Sequence, residues 1–256
     1  MKKTELKTFL EEKYLIYNTP EFITSDPISI PRRFSKLQDI EIAGFLAATI
    51  AWGQRPTIIR NAGRLMEWMD GAPHEFVLNH SLSDLKPFKE FVHRTFNSSD
   101  ILYFIRALRH IYGKHNSMEN AFLLPGKWKE PDTQNAIIRF RNLFFSIRHP
   151  ERSRKHVSDP ASGSAAKRLH MFLRWMVRQD KAGVDFGIWK NIPSSALLCP
   201  LDVHSGNVAR KLGLLKRTQN DRRAVEELTA ALRRLDPMDP VRYDFALFGL
   251  GVFEGF

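Results

Sequence analysis

Apolar positions recur at spacings of three and four along most of the chain, separated by short polar stretches, which predicts helices joined by loops. Lys2 to Tyr17 reads as a first helix, and Asn18 to Phe34, carrying Pro20, Pro27 and Pro31, as an extended loop. Asp39 is placed as the cap of a helix whose buried face is Ile42, Phe45, Leu46, Thr49 and Ile50. Pro56 opens the next helix, and Gly71 ends it. Asp100 is read as the start of a helix with Ile101, Phe104, Ile105, Leu108 and Ile111 on one stripe, closed by Gly113. Ile137, Phe140, Phe144 and Ile147 mark a further helix, and His149 to Ser162, polar and bounded by prolines, an exposed loop. Gly163 to Arg178 predicts a helix that buries Leu169, Phe172, Leu173 and Met176, with Lys167, His170, Arg174 and Arg178 on a separate basic face. After an irregular stretch, Gln179 to Leu198, Asp202 caps a helix stopped by Gly213. Asp221 to Leu235 and the segment after Asp239-Pro240 complete the set. No alternating segment is long enough for a strand, so the fold class expected is all-α with about ten helices.

Composition supports a real core: 43% of the 256 residues are hydrophobic, with 19 Phe and 5 Trp. No run of about 18 apolar residues is present, so no membrane span is expected. The charged N-terminus lacks the apolar core of a signal peptide, and a cytoplasmic location is the expectation. Net charge is +11 and the pI about 9.9, which favours a polyanionic partner, nucleic acid first. The single cysteine, Cys199, excludes an internal disulfide framework and any four-cysteine iron–sulfur or zinc site. The nine histidines show no metal-binding spacing, and Asp202 with His204 makes a poor metal pair, so neither metal nor cofactor is expected. There is no glycine-rich phosphate loop and no nucleophile-elbow serine.

Two residues stand out as candidate chemistry. Asp202 lies where a helix begins, in Leu201-Asp202-Val203-His204, followed by Val208, Arg210 and Leu212-Gly213. Lys167 opens Lys167-Arg168-Leu169-His170-Met171-Phe172-Leu173-Arg174. Alone, the aspartate is an ordinary N-cap worth about 1 kcal/mol and the lysine a solvated surface group. The two are 35 residues apart, so only the fold can bring them together. An amine beside further cations such as Arg168 would be neutral part of the time, as a nucleophile must be.

The pattern D-x-H-x3-V-x-R-x-L-G from Asp202 to Gly213 resembles the aspartate segment of the helix-hairpin-helix base-excision DNA glycosylases. The Lys167 string is similar to the helix that carries the Schiff-base lysine in bacterial and archaeal 8-oxoguanine glycosylases. The superfamily's hairpin, which grips a phosphate with backbone amides, has a counterpart in Asp159 to Lys167, where Pro160 and Gly163 match. Ala161 stands in place of the first glycine and Ala165 at the usual lysine position, with Lys167 two residues on. Either the hairpin is remodelled or Lys167 is not the nucleophile. Gln54, in Ala51-Trp52-Gly53-Gln54-Arg55, matches a turn whose side chains probe the duplex near the extruded base, or else closes a plain helix–helix turn. The Tyr243 to Gly249 segment resembles the last core helix. More closely, the strings Ser164 to Arg178, Pro200 to His204 and Tyr243 to Gly251 resemble a bacterial family of unknown function, DUF2400.

The superfamily resemblance implies a single glycosylase-like unit over 1–256, with a central bundle at 39–150 and a hairpin-containing lobe at 1–38 plus 151–256. It implies a monomeric DNA glycosylase with AP lyase activity on an oxidised purine, with Lys167 and Asp202 catalytic. Gln54, Arg55, Gly163, Ser164, Arg168 and His204 would contact damaged duplex DNA. The alternative is a module on the same fold that binds duplex nucleic acid without cutting it.

Overall fold

A computed structural model describes residues 2–256 and is mostly helical. Its α-helices in chain order are α1 (Lys3–Tyr17), α2 (Pro20–Thr24), α3 (Leu37–Thr49), α4 (Arg55–Trp68), α5 (Pro73–Asn79), α6 (Ser98–Tyr112), α7 (Gln134–Phe144), α8 (Lys167–Val177), α9 (Val203–Lys211), α10 (Arg222–Arg233) and α11 (Asp244–Phe253). The one sheet among the described residues is a hairpin of β1 (Val92–His93) and β2 (Phe96–Asn97), pairing Val92 with Asn97 and His93 with Phe96. The chain is thus broadly all-α, and no helix is long and apolar enough to cross a membrane.

Several local expectations give way to capping and to long-range partners. The proline-rich stretch 18–34 is not an extended loop: it holds α2 and 3-10 turns at Pro27–Ser29 and Pro31–Arg33. Each begins on proline, where the missing N–H is not needed. Asp39 does not cap α3, which starts at Leu37; its carboxylate instead accepts the backbone N–H of His74 (2.8 Å) in α5. Asp100 is likewise inside the first turn of α6, where it accepts the N–H of the cap residue Asn97 (2.9 Å). The stretch 149–162 is not a free loop. It forms 3-10 turns at Glu151–His156 and Pro160–Ser162, and Ser153 and His156 are buried against Asp100 at 2.7 and 3.3 Å. Burial opposes the charge of Asp100, yet His156 and the Asn97 amide hold its carboxyl well below the usual range.

The contacts divide the chain into two compact units. One comprises Ile23–Lys127 and Ala136–Ser158. At its centre is α3, buried from Asp39 to Thr49, because its only charges are Asp39 and Glu41 and every face is otherwise apolar. Phe45 meets the rings of Phe104, Phe140 and Phe144 at centroid distances of 5.3–5.8 Å. The buried carboxylate of Glu41 is satisfied by Tyr112 Oη (2.8 Å), Ser117 Oγ (2.5 Å) and Met118 N (2.9 Å).

The other unit comprises the residues up to Phe22, Trp128–Asn135 and Asp159–Phe256. Here α11 packs on α9 and α1. Gly249 permits that approach, since a Cβ there would lie 2.1 Å from the Tyr17 ring. On α10, Val225, Leu228 and Leu232 turn inward at helical spacing, as the sequence indicates.

Candidate active site

Asp202 caps α9 from an extended backbone conformation. Its Oδ1 accepts the Ser205 N–H (2.9 Å) and hydroxyl (3.2 Å), and its own N–H donates to Ser205 Oγ (3.0 Å). This reciprocal box fixes the carboxylate at the helix start. Asn220 Nδ2 donates to the Asp202 carbonyl (3.0 Å) and braces the same turn.

Lys167 is the first residue of α8, not a residue inside a helix that begins at Gly163. The four residues before it cannot be helical, because Gly163 (φ 90°) and Ala166 (φ 43°) are both left-handed. Glycine takes that conformation freely. In Ala166, which is buried, it costs of order 1–3 kcal/mol and is held by its N–H bond to Ser164 Oγ (3.2 Å). The Gly163 carbonyl accepts from Arg222 N (3.0 Å), and Ser164 forms an isolated bridge with Asp221, so the start of α10 anchors the loop.

Lys167 Nζ lies 3.5 Å from Asp202 Oδ2, with both side chains half-buried. One carboxylate oxygen is therefore held by the cap and the other faces the amine. Solvent reaches both, so a ligand can too. A primary amine can attack an electrophilic carbon, and a carboxylate 3.5 Å away can take up the proton it sheds. Among the described residues no group of three His, Cys, Asp or Glu could hold a metal ion.

Beneath this pair is a chain of buried charges that sequence reading missed. His170, Arg174 and Arg178 do not form a solvated basic face; all three are buried. Arg174 pairs with Asp244 and, at 3.3 Å, with Asp185. Arg178, with no exposed surface, reaches Asp180 (2.8 Å), Asp185 (3.0 Å), Asp239 (2.8 Å) and Tyr14 Oη (2.8 Å). Burial opposes its charge, but Asp185, Asp239 and Asp180 outweigh this and raise its pKa. Asp244 opens α11 with Cys199 Sγ 3.8 Å from its Oδ1. Burial pushes the Asp244 carboxyl up to about 6 against the pull of Arg174, with Asp202 adding to the rise and Lys167 opposing it. The available signal was an aspartate or arginine inside an otherwise apolar helical run, which must be paired if buried.

Burial also lowers His170 to about 4. These two groups drive stability in opposite directions with pH. Between about pH 4 and 6 folded Asp244 binds more protons than the unfolded chain, so its contribution falls as pH rises. Between about 6.5 and 4 His170 binds fewer, so its contribution falls as pH drops. Asp244→Asn is expected to steepen the loss of stability on acidification from pH 6.5 to 4.5, and His170→Phe to lessen it relative to wild type. Urea unfolding at several pH values checks both, and curves parallel to wild type would refute the assignment.

Of the remaining sequence candidates, Gly163, Ser164, Arg168 and His204 share the unit of Lys167 and Asp202. His204 is exposed two residues after the cap, with its backbone close to Gly251. Arg168 is half-buried, and burial lowers it to about 10. The hairpin amides are spent internally: Ala161 N donates to Asp159 Oδ1 (2.9 Å), Ser162 N and Ser164 N to Asp159 O (3.2 Å each) and Gly163 N to Pro160 O (3.0 Å). Gln54 and Arg55 belong to the other unit, where exposed Gln54 is the N-cap residue of α4 and Arg55 its first residue.

A family model described as a protein of unknown function (DUF2400) matches residues 26–253. No curated protein matches the chain, and no solved structure does.

Proposed function

The chain belongs to the DUF2400 family, and from this premise we propose that it is a base-excision DNA glycosylase with AP lyase activity, acting on an oxidised purine. The observation that carries the reading is the 3.5 Å approach of Lys167 Nζ to Asp202 Oδ2 at the mouth of α9. The damaged nucleotide would be turned out of the duplex, which an enzyme working on a base requires. Lys167 Nζ attacks the deoxyribose C1′, and the base departs with the electrons of the glycosidic bond. Asp202 Oδ2 stabilises the positive charge that develops on the sugar and accepts the proton released by the amine. Opening of the sugar ring leaves an imine on Lys167. Loss of a C2′ proton then expels the 3′ phosphate and cuts the strand. The oxidised purine rests on the likeness of the Lys167 helix to that of 8-oxoguanine glycosylases.

Borohydride trapping tests this reading. Reduction in the presence of a duplex carrying an abasic site or 8-oxoguanine is expected to leave a covalent protein–DNA adduct. Absence of an adduct, with duplex binding intact, would point to a second reading: a non-catalytic duplex-binding module. One observation favours that module, namely that the hairpin amides from Ala161 to Ser164 are already bonded within their own turn and are not free to grip a phosphate.

A further inference from the structure

With the hairpin amides from Ala161 to Ser164 committed, the distribution of charge points to a further surface for phosphates. The unit of Ile23–Lys127 and Ala136–Ser158 contains 19 Lys and Arg against 11 Asp and Glu, and so carries most of the net +11. Within it, α4 and the turn that leads into it gather arginines from three separate segments. Arg60 and Arg64, four residues apart, are exposed on adjacent turns. Arg33, which follows from the 3-10 turn Pro31–Arg33, lies across the helix at Gly63, where a Cβ would sit 3.3 Å from its guanidinium. Arg94, at the tip of the β1–β2 hairpin with φ 54°, folds back over Gly53, with a Cβ there 3.2 Å from its guanidinium. Small residues thus let Arg33 lie close to the helix backbone at Gly63 and Arg94 close to the turn that leads into the helix at Gly53.

None of these four arginines pairs with a carboxylate among the described residues. Arg64 is steadied over the Trp68 ring at 4.7 Å, which leaves its guanidinium edge available. The only acidic residue on α4 is Glu67, exposed one turn past Arg64 on the same face. Four guanidiniums along one helix and its entry turn, none of them neutralised by a carboxylate, attract an anion. Guanidinium is also the side chain best matched to phosphate, through its planar fork of donors. The helix has 14 residues and spans about 21 Å. A duplex presents roughly one phosphate charge per 1.7 Å of axis, so about 12 charges pass over that length.

We infer that the Arg33–Arg60–Arg64–Arg94 face of α4 docks the phosphate backbone of a nucleic-acid duplex. This rests on the nucleic-acid partner of the proposed function and not on its chemistry. The surface positions the duplex and reads no sequence. Gln54 and Arg55 lie at the start of α4, next to Gly53 and Arg94.

Binding of a labelled 20-base-pair DNA duplex, titrated at several salt concentrations, tests it. Arg60→Ala/Arg64→Ala and Arg33→Ala/Arg94→Ala should each weaken binding about tenfold or more at low salt. The slope of log K against log salt should fall by about 0.9 for each phosphate contact removed. Arg60→Lys/Arg64→Lys should retain most of the affinity, because the charge is kept. Lys7→Ala/Lys181→Ala, which removes two charges from the other unit, should have little effect. Unchanged affinity and slope in both arginine pairs would overturn the inference, as would an equal loss in the lysine control or no duplex binding by wild type at low salt. The readout is independent of catalysis: a protein that binds through α4 but traps no adduct keeps this surface and loses the lyase reading.

Discussion

Lys167→Gln is expected to give a folded protein that forms no borohydride adduct and cuts no abasic strand, while duplex affinity stays within a few-fold of wild type. The amine of Lys167 is the group placed beside Asp202 that can form the imine, so its removal is expected to abolish the covalent step outright. Asp202→Asn is expected to lower strand cleavage by about 10²–10⁴-fold, the usual worth of a positioned acid–base group. The two variants should cost little stability. Asparagine caps a helix about as well as aspartate, so the contact with Ser205 survives. The Lys167–Asp202 ion pair is half-exposed and contributes at most about 1 kcal/mol. Single-turnover assays with thermal melts on the same preparations separate chemistry from folding. Trapping undiminished in Lys167→Gln would remove this residue as nucleophile.

Arg178→Ala is expected to destabilise the protein by about 3–5 kcal/mol, the range for breaking a buried ion pair from one side. The side chain has no exposed surface and bridges three carboxylates and the Tyr14 hydroxyl. Its loss leaves Asp180, Asp185 and Asp239 without their shared cation in a low-dielectric site. Asp180, held down to about 2 against burial chiefly by Arg178, should titrate upward in the variant. Arg178→Lys should recover only part of the loss, because an ammonium cannot span three partners in a planar fork. Urea unfolding measures the change. A loss under about 1 kcal/mol would mean the cluster relaxes around the vacancy.

The elements that were legible in the sequence are those governed by nearby residues. Asp202 as a cap, α9 stopped before Gly213, and α10 with its Val225–Leu228–Leu232 stripe all follow from spacings of a few residues. The candidate pair was legible because Lys167 and Asp202 each sit in a distinctive string, although their meeting depended on the fold. What stayed hidden depended on distant partners. Arg174 and Arg178 look like a solvated face until Asp239 and Asp244, more than 60 residues away, are brought against them. The stretch 149–158 reads as a loop because nothing in it shows that Asp100 waits to bury Ser153 and His156. Helix α5, seven residues long, and the two-residue strands β1 and β2 are too short for any period to register. The start of α8 was misplaced because an alanine in the left-handed region, unlike a glycine, leaves no mark in the sequence.

The unit that holds the Lys167–Asp202 pair is assembled from segments far apart in sequence, the residues up to Phe22 and Asp159–Phe256 among them. Its first helix, α1, lies on its last, α11: Lys13 pairs with Glu254 at 2.8 Å and the Tyr14 and Phe245 rings meet edge-on. At ribosomal speeds of about 5–20 residues per second, α1 waits roughly 10–50 s after its synthesis for the surface it will cover. Over the same interval the Ile23–Ser158 region emerges with most of its own partners and can collapse around α3. Docking of α1 is therefore expected to wait for α11, and a chain halted before Asp244 should leave α1 without that surface.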